Sequence, residues 1–302
     1  MSDRGRPRLR ATSQSSLLLP AGGSSTRPVV HGPLLSLQAP PAAEPGDGAA
    51  AEHCPADRLQ LRWRLSASQA GEASATPANA ASAQVQLQDL QLDPPTSAVR
   101  PEAGRWRLQV PLEPLLLLAH GRGRGLQLAI DQPLQLTGLA APPGLRQTLT
   151  ALCRSGLDGQ TSSWLLLETQ LLTQLVQLLT RPLQAAATGG LLRQDRGWQH
   201  VLLSLERMQH NLQDNLNLQD LSTATGVSPR ALQMAYRRHL GKRPLQSLRE
   251  LRLARLRRLL LLGQRQSRSL VEVLEECGLP GNGITARYYQ ERYGEKPSQT
   301  RG

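Results

Sequence analysis

The sequence predicts a multidomain α+β chain. A mainly-β, barrel-like or sandwich amino-terminal domain with trailing helices is followed by an all-α carboxyl-terminal domain, in which a long helix joins two helix-turn-helix units. Three observations predict this. Apolar residues alternate with period two between residues 57 and 136, their spacing changes to three and four from residue 145, and the order capped helix, glycine turn, helix occurs twice after residue 217. At 302 residues the chain also exceeds the usual size of one domain.

Residues 1–56 are rich in Pro, Gly, Ser and Ala with few spaced apolar positions, so irregular structure is expected there. Across 57–183, Leu59, Leu61, Trp63 and Leu65 share one strand face. Val85 with Leu87, then Leu90 with Leu92, make another strand with a one-residue offset, and residues 66–82 read as the loop between the two. Trp106, Leu108, Val110 and Leu112 alternate again, as do Leu126, Leu128 and Ile130, then Leu134 and Leu136. Gly and Pro breaks between these runs suit short antiparallel strands. Two helices follow, one on Leu145, Leu149 and Leu152 and one on Leu167, Leu171, Leu175 and Leu178; the second stripe suits a core or a dimer seam. Residues 184–196, with Ala185 to Ala187 and the pair Gly189 and Gly190, read as a linker to a domain spanning 197–302.

In that domain Val201, Leu205, Met208 and Leu212 form one face of a first helix. Asn217 with Asp220 three residues on makes a capping box for a short second helix, which stops at Gly226. Ser228 and Pro229 then supply an N-cap and a first helical residue, and Gly241 closes the third helix. This is the first helix-turn-helix, at about 217–238. With Leu232 and Tyr236 facing the core, Arg230, Gln233 and Arg237 fall on another face with Met234 nearby. Arg and Gln suit base edges, because each can bond bidentately in the major groove, to guanine and to adenine respectively. A Leu- and Arg-rich helix extends from Pro244 to about Leu262. Ser269 and Glu272 then cap the second unit, at about 270–293, which turns at Gly278, carries Arg287, Tyr289 and Tyr293, and ends at Gly294.

The charge agrees with a polyanionic partner. The formal net charge is +12, and residues 196–302 hold 18 Lys or Arg against 9 Asp or Glu, so three quarters of the excess lies in the last third.

The stretch from Asn217 to Pro244, NLQDLSTATGVSPRALQMAYRRHLGKRP, the linking SLRELRLARLRRLLL and the closing RYYQERYGEKPS resemble the DNA-binding domain of the AraC/XylS family of transcription regulators, over about residues 198–302. The resemblance implies an all-α domain whose two units enter successive major grooves of double-stranded DNA. It places Arg230, Gln233 and Met234 at the base-facing sites of the first unit, and Asn282, Ile284 and Arg287 at those of the second. Arg238, Lys242 and Arg243 are the candidates for phosphate contacts, which position the domain without specifying sequence. Residues 57–183 are similar in element order to the sensing and dimerising half of such regulators, which implies a promoter or operator target, RNA polymerase as a partner, a small-molecule effector and a homodimer. Two departures bear on the second unit. Leu279 and Thr285 stand where the family usually has Phe, and Pro280, Gly281 and Gly283 stand where its recognition helix should start. Each interior Gly costs about 1 kcal/mol of helix propensity.

Other classes find little support. Cys54, Cys153 and Cys277 form no C-x-x-C pair, and His31, His53 and His120 are isolated, so neither a disulfide framework nor a metal site is expected. Cys153 and Ser162 sit in no nucleophile motif, and no glycine-rich phosphate loop occurs, so neither an enzyme nor a cofactor is expected. Leu17 to Leu19 are cut short by Pro20, and residues 164–180 are broken by Gln, Glu and Thr, so the expectation is a cytoplasmic protein with no membrane partner. The competing reading is a non-specific, architectural nucleic-acid binder held by charge alone.

Overall fold

The computed structural model describes residues 29–40, 52–67, 85–99, 102, 104–120, 134–136, 144–158, 161–179, 196–263 and 268–301. Its strands are β1 (Val29–His31), β2 (Ser36–Gln38), β3 (Glu52–His53), β4 (Arg58–Ala67), β5 (Val85–Asp93), β6 (Ala98–Val99), β7 (Arg105–Pro111) and β8 (Leu134–Gln135). Its helices are α1 (Leu112–His120), α2 (Leu145–Asp158), α3 (Thr161–Leu179), α4 (Arg196–His210), α5 (Leu218–Thr225), α6 (Pro229–Leu240), α7 (Pro244–Leu262), α8 (Leu270–Glu276), α9 (Gly283–Tyr293) and α10 (Pro297–Arg301).

Six strands form one antiparallel sheet in the order β1-β2-β7-β4-β5-β8, and β3 pairs with β6 apart from it. Among the described residues this sheet has two edges, β1 and β8. The strand expected at Leu126 to Ile130 lies outside the described residues, as do 1–28 and the expected linker up to residue 195.

In the centre of the sheet Leu59, Leu61 and Trp63 pair with Val110, Leu108 and Trp106, and this alternating set lies on the buried face. The offset between Leu87 and Leu90 has a structural cause. Arg62 pairs with Gln91 but Arg64 with Gln88, so β5 carries an extra residue there, and Asp89 takes a φ of 50°. The strand therefore bulges once and returns Leu90 and Leu92 to the apolar face.

Two expectations are corrected. Residues 29–40, expected to be irregular, supply β1 and β2, because Leu35 and Leu37 bury themselves against the sheet at 1% exposure each. Leu112 does not extend the strand of Trp106 to Val110. It opens α1, whose Leu112, Leu115, Leu116 and Ala119 follow helical spacing and are all buried, with Pro114 tolerated in the first turn. Of the two alternatives for the stripe on α3, core or dimer seam, Leu171, Leu175 and Leu178 are buried inside the chain, while Leu167 is partly buried.

One apolar cluster runs from Leu35 through the sheet and α1 to α4, α5 and α6, ending at Leu248; a second holds Leu253, Leu256 and Leu260 with α8 and α9. Helix α7 thus belongs to both. The first helical pair shares its core with the sheet half, and the second has its own. No helix among the described residues is long and apolar enough to cross a membrane.

Candidate nucleic-acid interface

Local chemistry builds the first helical pair. Asn217 accepts from the backbone N–H groups of Gln219 and Asp220, and Asp220 returns a bond to the Asn217 N–H at 2.8 Å, so both partners of the capping box are present. Gly226 ends α5 at φ 67°, a left-handed conformation that costs glycine little, and its N–H returns to the last turn. Ser228 then caps α6 and Pro229 opens it.

Burial orients α6. Leu232, Ala235, Tyr236 and Leu240 face the core, and the Tyr236 hydroxyl meets the Ser204 hydroxyl of α4 at 2.7 Å. The opposite face is left outward. Pro229, Arg230, Gln233, Met234 and Arg237 line one depression on it, with Met234 61% exposed. The first set of residues assigned to base edges is therefore brought together.

The second pair begins at a complete capping box, with Ser269 and Glu272 bonding each other's backbone N–H groups. Gly278 makes the turn at φ 67°, where a Cβ would meet the Leu212 carbonyl oxygen at 2.3 Å, so both conformation and space require glycine. Helix α9 starts at Gly283, and Asn282 caps it by accepting from the Thr285 N–H at 3.1 Å. Leu279 and Thr285, which stand where the resemblance implies Phe, are both buried. Ile284 is 62% exposed and Arg287 is exposed, its Nε donating to Glu291 at 2.7 Å. So Ile284 and Arg287 point outward, whereas the Asn282 carbonyl is already engaged by its own helix.

Among the phosphate candidates Arg238 and Arg243 are exposed, but Lys242 is a correction. Its side chain is 4% exposed and its ammonium donates to Asp57 at 2.7 Å, to Glu250 at 2.8 Å and to Glu113. Burial alone would lower its pKa, but Glu113, Glu250 and Asp57 outweigh it and the net direction is up. These three carboxylates converge closely enough to hold a metal, and the lysine supplies the positive charge instead. Sequence reasoning missed this cluster because Asp57 lies 185 positions from Lys242 and leaves no spacing signal.

The considered nucleophile fares no better. Cys153 is fully buried, and burial pushes its thiol far above the usual range. All three cysteines are free and buried. Ser162 lies on α3, and its side chain is outside the described residues.

Helix, glycine turn and capped helix with an outward Arg and Gln face define a helix-turn-helix protein. Comparison with known proteins makes the class specific. Residues 221–302 match the family model described as a helix-turn-helix domain. The chain is 27% identical over 99 residues to the probable thc operon regulatory protein of Rhodococcus erythropolis, covering 33% of this chain and 30% of that one. It is 29% identical over 93 residues to the XylDLEGF operon transcriptional activator 2 of Pseudomonas putida, covering 31% and 59%. A solved transcriptional regulator of Chromobacterium violaceum, described by its AraC-type DNA-binding domain, is 29% identical, with 35% of this chain and 94% of that one covered at a TM-score of 0.32. The carboxyl-terminal third of this protein is an AraC-type helix-turn-helix domain. The matched segment spans less than two thirds of either curated regulator.

Proposed function

We propose that this chain is a sequence-specific transcription regulator that reads successive major grooves with two helix-turn-helix units. The observation that carries the reading is the depression on α6, where Arg230, Gln233, Met234 and Arg237 stand together on a helix locked by two caps and by Tyr236. Arg230 and Arg237 have the donor forks for guanine, Gln233 the amide for adenine, and Met234 an apolar tip for a thymine methyl. Arg238 and Arg243 flank that face and suit phosphates. In the second unit Ile284 and Arg287 take the base-facing role, with Asn282 contributing its remaining amide hydrogens. Helix α7, at 19 residues, spans roughly 28 Å, close to the ~34 Å repeat of B-DNA, which suits two heads on one DNA face.

On this reading residues 57–183 sense an effector and 197–302 bind DNA, joined by 184–196. The curated relatives are named as an operon regulatory protein and an operon activator, which supports an activator role; RNA polymerase as a partner and a cytoplasmic location rest on the family resemblance. A homodimer has the family resemblance behind it. The architectural reading has only the net charge in its favour.

The test uses the full chain. Genomic fragments captured by the protein yield an enriched sequence, and its affinity is compared with that of shuffled duplexes at several salt concentrations. A preference of about a thousandfold or more is expected. Equal affinity for all duplexes, falling together with salt, overturns the proposal.

A further inference from the structure

A second concave site lies away from the α6 face. It is a cleft of about 420 Å³ between the sheet half and the helical domain, within the range of small-molecule sites. One wall carries His31, Pro55 and Arg58; the other carries Arg249 of α7 and Tyr288 of α9. Its charges are unequally satisfied. The two lining carboxylates are already paired, Glu250 with Lys242 at 2.8 Å and with Arg292 at 3.3 Å, and Glu291 with Arg287 at 2.7 Å. Arg58 and Arg249 have no carboxylate partner among the described residues. Arg249 rests instead over the Tyr288 ring, 3.7 Å from its centroid, with its guanidinium plane held ready. The surroundings register the excess: His31 is pushed down to about 4 by burial first, then by Arg257, Arg58 and Arg292, so its ring is neutral at physiological pH.

We infer that this cleft binds a small organic anion whose carboxylate or phosphate is gripped by Arg58 from β4 and Arg249 from α7. Two guanidiniums from opposite halves of the chain provide the bidentate chemistry that such groups demand, and Leu34, Leu253 and the tyrosine rings accept an apolar body. An occupant touches the sheet, α7 and α9 at once, so it ties the sheet half to the second helical pair. The binding site stands independently of the DNA reading; only an effect on DNA affinity rests on it.

The experiment is calorimetric titration of the full chain with inorganic phosphate, with succinate and with neutral succinamide. Saturable binding of phosphate or succinate near one equivalent is expected, with none of succinamide, and the anion that binds names the headgroup class. Arg58→Gln and Arg249→Gln should each weaken it roughly tenfold or more, while their thermal unfolding without ligand stays near the parent's. Arg230→Gln serves as the control, because an anion held on the α6 face would respond to that substitution alone. No saturable binding of either anion, unchanged affinity in both cleft variants, or loss confined to Arg230→Gln overturns the inference. If the anion binds as expected, its effect on operator affinity is measured separately, so failure of the DNA reading leaves this outcome interpretable.

Discussion

Lys242 and Glu113 form an ion pair across the seam between the sheet half and the helical domain, each side chain only 4% exposed. Asp57 and Glu250 complete the cluster, and Ser247 adds a hydrogen bond to Glu113 at 3.1 Å. A buried charge cluster adds little net stability when intact, but removing one member leaves the others desolvated and uncompensated. Lys242→Met should therefore cost about 3–5 kcal/mol in urea unfolding of the full chain. A loss below about 1 kcal/mol, within the range of an exposed pair, would show the cluster to be solvated.

Arg243, the next residue, is exposed and has the opposite expected behaviour. Arg243→Ala should leave stability within about 0.5 kcal/mol of the parent while reducing the slope of log affinity against log salt by about one. An unchanged slope removes Arg243 from the phosphate contacts.

The two helical pairs should contribute unequally to recognition. Arg230 stands in the α6 depression, whereas Arg287 is tied to Glu291 on its own helix. Arg230→Ala should weaken operator binding by about 1–3 kcal/mol and relax preference at one base position. Arg287→Ala should do less. Equal losses in titrations against one operator contradict this.

Helix α9 has an improvable start. A Cβ on Gly283 meets nothing within 4 Å, so Gly283→Ala should stabilise the protein by about 0.4–1 kcal/mol. Removing the cap by Asn282→Ala should destabilise it by about 1 kcal/mol. Thermal unfolding distinguishes the two, and a destabilising Gly283→Ala would mean that the first turn of α9 is not helical.

His31 gives the fold a pH dependence of known sign. Its folded pKa of about 4 lies below the ordinary 6.5, so the unfolded chain takes up the proton first. The associated stability is complete above pH 6.5 and is lost as pH falls toward 4. With the ring partly solvated, the difference between pH 7 and pH 5 should be about 1 kcal/mol. His31→Gln should lose correspondingly less over that interval; a parallel decline in both proteins refutes it.

The sequence by itself determined the elements whose signals are local. The capping boxes at Asn217 and Ser269, the turns at Gly226 and Gly278 and the outward face of α6 follow from backbone hydrogen bonds closed within a few residues, and the structure places each at its expected position. Even the bulge of β5 was visible as the change of parity between Leu87 and Leu90. Helix α1 was hidden, because Leu112 continues the alternation of β7 by one step before the helical spacing begins. Tertiary structure alone decided the direction of Lys242 and the existence of the cleft. A lysine beside an Arg in a turn suits phosphate equally well by type and spacing, yet a long flexible side chain goes where the nearest unpaired carboxylates are. Those belong to Asp57 and Glu113, just as the cleft joins Arg58 to Arg249, and only the tertiary structure that sets Asp57 and α1 beside Lys242 and α7 brings such distant residues within reach.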